Sequence, residues 1–441
     1  MLIVSLILVG VAGALAAPVV VLLFEILAAL LLPQRPESFF FKGSHRESIA
    51  VIVPAHNEGS GILSTLADIK AQLISGDRLL VVADNCNDDT AIVATEAGAE
   101  VVERNELHKA GKGYALDFGY KHLSRDPRAI VICIDADCRL MEGTIERLAM
   151  ACQTTQRPIQ ALDLMIAPEG SSISYRVAEF AWRVKNWLRP LGLSALRLPC
   201  HLMGTGMAFP WKLLRSATLA NASVVEDVNL GFDLAKAGAP ALFCPFAEVT
   251  SLFPWSIEGA KQQRKRWEEG SVRLIATTVP RHIGEGLWTK NFGLIALALD
   301  SIVPPLSLLV MLVAGMFVVT ASAALLGFSS AAFYISAACV IGLLLAVFLA
   351  WLKHGRDLLP LKSVPSVVPY VLVKLPLYRQ IFSSRAAPSW VRADRPGIST
   401  RNSVTSAVVP SNAGSDDPRA ANGTSSDAAS TVVSTSTRSS K

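Results

Sequence analysis

The sequence predicts an α/β domain with a mostly parallel sheet and helices on both faces. Transmembrane helices flank it and a disordered tail ends it. Three observations predict this. Four short apolar, β-branched runs each end in polar residues and are separated by helical stretches. The hydrophobic excess, 51% of residues against 17% charged, sits at the two ends of the chain and not in its middle. The last residues are Ser, Thr, Ala and Asn with almost no large apolar side chains, too little to bury a core.

The implied divisions are a transmembrane helix over 1–33, a cytosolic linker over 34–47, and the α/β domain over 48–290. A transmembrane hairpin with an interfacial segment follows over 291–385, then the tail over 386–441. Leu2 to Leu32 carries one charge, Glu25, and is long enough to span a bilayer. Ala14 to Pro18 looks like a cleavage site, but no basic region precedes it and the apolar stretch runs on. Arg35, Lys42 and Arg46 follow, which puts the next segment in the cytosol. The net charge of +5 gives no argument for nucleic acid. Seven irregularly spaced cysteines, one inside an expected strand, suit a reducing compartment.

The expected strands are Ser48–Pro54, Arg78–Ala83, Ala99–Glu103 and Ala129–Ile134. Polar strand ends on successive parallel strands make one cleft at their carboxyl edge. The first strand ends in Pro54-Ala-His-Asn-Glu58, and the second in Asp84-Asn-Cys-Asn-Asp-Asp-Thr90, where Asp84 is placed to meet a base or ribose. Gly111-Lys-Gly113 brings Lys112 to a base or a phosphate, or leaves it a solvated loop lysine. The fourth strand runs directly into Asp135 and Asp137. Carboxylates at i and i+2 can face one divalent cation, Mg2+ or Mn2+, whose shell substrate phosphates complete; otherwise they are solvated strand-end acids.

Val177, Phe180, Ala181, Val184, Trp187 and Leu188 recur at helical spacing on one face, and Pro190 is expected to end that helix. It lies in a membrane interface or packs on the sheet. His201–Phe209 carries Gly204, Thr205 and Gly206, which allow close approach of a sugar or acceptor. Glu226 and Asp227 open a further helix, where acids also favour the helix dipole for structural reasons alone. In Gln262-Gln-Arg-Lys-Arg-Trp-Glu268, Gln263, Arg266 and Trp267 share one helical face. Arg266 there can grip diphosphate oxygens and Trp267 can stack on a sugar ring, while Lys261, Arg264 and Lys265 point elsewhere.

Taken in order, Pro54–Glu58, Asp84–Thr90, Gly111–Gly113 and Asp135–Asp137 resemble the inverting family 2 glycosyltransferases over roughly residues 48–270. Gln-x-x-Arg-Trp is similar to the signature of their membrane-embedded branch, which includes cellulose, chitin and hyaluronan synthases and ceramide glucosyltransferases. The resemblance implies a GT-A-like fold, a nucleotide-diphosphate sugar donor (a UDP-sugar first) and a divalent metal. It gives Pro54, Glu58, Asp84, Lys112, Asp135 and Arg266 to the donor and Asp137, with Asp135, to the metal. Asp227, with Glu226, becomes the general base, and Gly204, Thr205, Gly206, Gln263 and Trp267 the acceptor side.

The implied enzyme is a metal-dependent hexosyltransferase of a bacterial inner membrane with a cytosolic catalytic domain. Its acceptor would be a cell-surface polysaccharide or oligosaccharide, made together with other components of a synthesis machinery. The rival acceptor is a sphingolipid, diacylglycerol or polyprenyl lipid. A rival of another class is an inactive scaffold of a synthase complex. Ile302–Leu326 and Ala331–Leu352 form the expected hairpin; Asp300 caps or lines a channel before it, and Val364–Phe382 is interfacial or a poor third span.

Overall fold

The structure, a computed structural model, describes residues 1–383 apart from 44, 216–218, 220–224, 255–256 and 329. The tail expected from 386 lies outside the described residues. Strands β1 (Ile49–Ala55), β2 (Arg78–Asp84), β3 (Glu100–Arg104) and β4 (Ile130–Cys133) occur where the apolar runs predict them. They are mutually parallel, in the order β3-β2-β1-β4. Ile52 pairs with Cys133, so the chain just past β4 lies level with the Pro54–Ala55 end of β1.

Four more strands extend the sheet: β5 (Arg139–Leu140), β6 (Ile159–Ile166), β7 (Met207–Pro210) and β8 (Leu242–Leu252). The full order is β3-β2-β1-β4-β7-β6-β8-β5. β7 runs antiparallel to both β4 and β6, whereas β6 and β8 are parallel. The sheet is therefore mixed in its second half. Both faces are covered. Val51, Val53 and Ile132 pack under helix Thr144–Thr155, while Ile52, Val82 and Val131 pack under helices Lys112–Leu123 and Glu226–Lys236.

Three helices are long and apolar enough to cross a membrane: Leu2–Leu31, Leu306–Leu325 and Ser330–His354. Leu6, Val11, Val20 and Phe24 on the first stay exposed, a surface suited to lipid. Helix Ile173–Arg183 lies between the two parts. Val177, Phe180, Val184 and Leu188 pack against Leu22 and Ile26 of the first span, while Ala178 packs with Met165 of β6. One face of this helix therefore packs on the span and the other on the sheet. Pro190 does not end it. The chain passes through a π-helical turn, Val184–Leu188, into helix Arg189–Ala195, with Pro190 in the first turn of the new helix. The helix is continuous through the π turn, where the Arg189 N–H reaches back five residues to the Val184 carbonyl, and this wider spacing accommodates a proline that has no N–H to donate. The segment expected as interfacial is a series of short pieces, Leu361–Ser366, Val367–Leu372 and Leu375–Ser383, broken by its prolines.

Candidate active site

A cavity of about 350 Å³ opens along the carboxyl edge of β2, β1, β4 and β6. At its β2 end, His56 Nδ1 lies 2.7 Å from the Asp84 carbonyl oxygen, and Asn57 Oδ1 accepts from Asn87 N at 2.8 Å. Thr90 Oγ1 accepts from the N–H groups of Glu58 and Gly59 at 2.8 and 2.9 Å. Much of the two amino-terminal motifs therefore ties one strand-end loop to the other, leaving Pro54, Glu58 and Asp84 on the cleft wall. Arg104 and Asn85 both donate to Asp84 Oδ1, at 2.5 and 3.0 Å. Burial nonetheless raises the Asp84 carboxyl above the ordinary range, with Arg104 opposing it.

Past β4 the side chains alternate. Asp135 and Asp137 are half-buried and line the cleft, while Ala136 between them is buried in the core. Thr205 is 5% exposed, and its hydroxyl accepts the Asp135 N–H at 3.1 Å, so that side chain is spent on fixing the strand end. Lys112, at the start of its helix, pairs with Asp135 and donates to Gly204 O at 2.9 Å. Burial opposes its charge, but the fields of Asp135, Glu226 and Asp227 outweigh it and raise the lysine.

Glu226 and Asp227 start helix Glu226–Lys236 across the cleft. Gly204, at φ +97°, lies between the two groups. A Cβ there would stand 3.4 Å from Lys112 Nζ and 3.5 Å from Asp227 Oδ2. Burial raises both acids. Their mutual repulsion adds for Glu226, while the Val228 N–H and Lys112 restrain Asp227. The third wall is helix Ile257–Thr277, from which Gln263, Arg266 and Trp267 line the same cavity. Gly206 is not among the lining residues. Its position abuts the sheet, where a Cβ would lie 2.7 Å from that of Ala161, so its assignment to the acceptor is replaced by a packing role.

Residues 45–270, more than half of the chain, match the model of the family described as glycosyltransferase-like family 2. The chain belongs to glycosyltransferase-like family 2. The 4,4′-diaponeurosporenoate glycosyltransferase of Staphylococcus haemolyticus is 34% identical over 207 residues, 44% of this chain. The chain spans about half of that relative's length, 52%. An uncharacterized glycosyltransferase of Mycobacterium tuberculosis is 28% identical over 200 residues, covering 42% of this chain and 86% of its own. Among solved structures, a mannosyltransferase from Pyrobaculum calidifontis, in complex with GDP-mannose and Mn2+, superposes with a TM-score of 0.52. It shares 16% identity and covers 86% of this chain and all of its own, a likeness of fold that makes this family member GT-A-like.

The family motifs leave part of the cleft unaccounted for. Asp163 of β6 is buried there, and its carboxyl is pushed up to about 7 by burial and by the field of Asp135. Asn186 donates to Asp163 Oδ2 at 2.9 Å, and Lys185 lines the cavity beside it. Deeper still, Arg189 donates to Glu25 Oε2 at 2.8 Å and pairs with Asp300, and His201 Nε2 lies 2.9 Å from Leu297 O. Burial lowers His201, which favours its neutral form. Asp300 also lines the cleft. Apart from His201, which opens the His201–Phe209 stretch, these residues belong to no short motif. Their one sequence signal is charge inside or beside apolar helices, which demands a buried partner.

Proposed function

We propose that this chain is a membrane-embedded, inverting glycosyltransferase that transfers a sugar from a nucleotide-diphosphate donor to a lipid-borne acceptor on the cytosolic side of the membrane. One observation carries the reading: two strand-end carboxylates and a helix-start acid pair face one cleft, separated by Lys112 and Gly204. Asp84 Oδ2 would accept from the nucleoside, since its Oδ1 is engaged by Arg104 and Asn85. Arg266 would hold diphosphate oxygens, and Trp267 would lie against a sugar ring. Lys112 would exchange its hold on Asp135 for phosphate when the donor arrives.

The residues fit a divalent cation of the Mg2+ or Mn2+ kind. Asp135 and Asp137 both turn to the cleft, and the described residues hold no group of three or more His, Cys, Asp or Glu that could form an all-protein cage. Two carboxylates suit a hard ion that takes its remaining ligands from phosphate and water. When bound, the ion would offset the charge that develops on the leaving diphosphate. Asp227 would take the acceptor proton in the transition state, from the side opposite the metal-facing pair, and Glu226 would support its charge state.

The lipid-borne acceptor is favoured over a growing polysaccharide by the deep end of the cleft. Its wall there is Arg189, Asp300 and Val303, which join the first span and the start of the hairpin. The relative from Staphylococcus haemolyticus, named as a glycosyltransferase of 4,4′-diaponeurosporenoate, a lipid-like acceptor, supports the same reading. Basic residues at 35–46 and 353–356 support a cytosolic sheet domain. The test is a screen of nucleotide sugars for metal-dependent release of nucleoside diphosphate by membranes containing the full chain. Release from one donor, stimulated by lipid extract, is expected. Neither release nor binding of any nucleotide sugar would remove the reading and favour the scaffold.

A further inference from the structure

The π-helical turn Val184–Leu188 turns two polar side chains into the cleft while Val184 and Leu188 remain packed on the spans. An extra residue in one turn shifts the helix face in this way, and such turns recur at functional sites. The turn is fixed from both sides. Trp182 Nε1 donates to the Asp163 carbonyl at 3.1 Å, and Asn186 Nδ2 donates to the Asp163 side chain at 2.9 Å. Asn186 is 2% exposed, and its Oδ1 has no hydrogen-bond partner among the described residues. A buried amide oxygen left unsatisfied is costly unless a ligand hydroxyl or a water donates to it.

Lys185 projects from the same turn. Protein surrounds it, yet its side chain is exposed, because it stands in the open cavity. Its ammonium lies 5.2 Å over the Trp182 ring, and among the described residues it has neither a hydrogen bond nor an ion pair. Trp182 in turn meets Trp267, at 5.1 Å between ring centroids. This wall adjoins β6. In the strand order, β6 lies on the far side of β4 from β2, so the turn flanks Asp135 and Asp137 opposite Asp84. The donor motifs fill the β2-to-β4 part of the cleft, and Lys185 stands beyond it. Asp163, its neighbour, keeps its proton up to about 7 and so is a weak counter-ion.

We infer that Lys185 forms an anion subsite for the acceptor, with Asn186 Oδ1 beside it accepting from an acceptor hydroxyl or a water, so that the acceptor carries a phosphate or carboxylate held on the β6 wall of the cleft. The inference rests on the glycosyltransferase reading for its assignment to the acceptor, but not for the binding of the anion. Lys185 feels the fields of Asp227 and Asp163 but makes no direct ion pair among the described residues, so it is free to donate a charged hydrogen bond to an anionic ligand. Asn186 Oδ1 beside it is an acceptor, so it takes its bond from a hydroxyl or a water held next to the anion, and Lys185 alone carries the charge contact. Lys185 is a specificity residue here and takes no proton in the transfer.

The experiment uses the full chain in neutral detergent, with farnesyl phosphate, farnesol and inorganic phosphate as probes. Binding is read by calorimetry without donor. The wild-type chain is expected to bind farnesyl phosphate about tenfold or more tighter than farnesol, the scale of one charge-assisted contact. Lys185→Met should bring the two within about twofold, and Lys185→Arg should keep most of the gap. In turnover, Lys185→Met should raise KM for the phosphate probe while leaving donor affinity in place, a split that general unfolding would not give. Inorganic phosphate binding as tightly as farnesyl phosphate would make the source a soluble anion instead of a lipid. A gap that survives Lys185→Met, no gap in the wild type, or farnesol and donor affinity falling along with the phosphate would each overturn the subsite. A chain that binds farnesyl phosphate through Lys185 but turns over no nucleotide sugar would instead overturn the enzymatic reading and leave the subsite standing.

Discussion

Asp227 and Asp137 face one cleft from opposite sides, and replacing each with its amide separates their proposed roles. Asp227→Asn is expected to leave donor affinity near wild type and to cut transfer by roughly 10²–10⁴-fold, the usual worth of general-base catalysis. Asp137→Asn should lose metal-dependent donor binding itself, since an amide lacks the charge that holds a hard cation. Donor affinity and transfer rate measured on the same preparations check both, and joint loss in Asp227→Asn would move the base elsewhere. Asp163 gives a pH signature. Unfolded, its carboxyl ionises near ~4; folded, it keeps its proton to about 7. The folded state therefore binds more protons in this window, so its stability contribution is full below ~4 and is lost as pH rises through 7. The thermal midpoint of the wild type should fall more steeply between pH ~4.5 and ~7.5 than that of Asp163→Asn, and parallel curves would show the carboxyl ionised throughout. The difference in legibility between these residues is physical. Asp135 and Asp137 were readable because an unbroken apolar run ends on them. Asp163 sits inside a strand whose Gln160 and Asp163 interrupt the apolar pattern, so neither the strand nor its buried acid was visible in the sequence.

Helix Ile257–Thr277 presents Gln263, Arg266 and Trp267 to the cleft and must be held from behind. Behind it, Glu268 is 6% exposed and accepts from Lys374 Nζ at 2.7 Å. Lys374 also donates to Ser307 Oγ at 2.8 Å, and Ser307 lies 2.8 Å from the Tyr378 hydroxyl. The helix is thereby tied to the first turn of span Leu306–Leu325 and to the carboxyl-terminal short helices. Lys374→Met would leave Glu268 buried without its cation and is expected to cost about 3–5 kcal/mol, whereas adding Glu268→Gln should restore much of the loss. A double-mutant cycle on thermal unfolding in detergent checks this, and additive losses would mean that the pair is not coupled. The sequence showed the basic run of this helix and gave Arg264 and Lys265 directions away from the cleft. Arg264 indeed stacks 5.7 Å over Tyr370. What stayed hidden was the partner. Val364–Phe382 reads as a poor span because Lys374 and its prolines interrupt it, and the same lysine is what docks it onto the motif helix.

At the scale of the molecule, the sheet domain and the first span are joined where helix Arg189–Ala195 crosses helix Leu2–Leu31. The lone charge of that span, Glu25, is legible as an anomaly in the sequence, but its partner Arg189 lies 164 positions away, directly before a proline expected to stop a helix. No local pattern links the two. The backbones also meet. A Cβ on Gly192 would collide with the Glu25 carbonyl group, and would lie 3.1 Å from the Glu25 Cα. Alanine is normally better than glycine inside a helix by about 1 kcal/mol. At Gly192 the collision is with backbone, which cannot turn aside as a flexible side chain can, so the helix would have to move off the span. That shift would stretch the Arg189 bonds to Glu25 and Asp300 and tilt the floor of the cleft. Gly192→Ala is therefore expected to lower the thermal midpoint and the transfer rate together, despite its gain in helix propensity. Gly284, exposed in helix Val279–Thr289 with nothing within 4 Å of its missing Cβ, is the matched control, and Gly284→Ala should be neutral or mildly stabilising. Unfolding and turnover measured on both variants decide the matter: if Gly192→Ala behaves like Gly284→Ala, the span and the catalytic domain are not in backbone contact at this crossing.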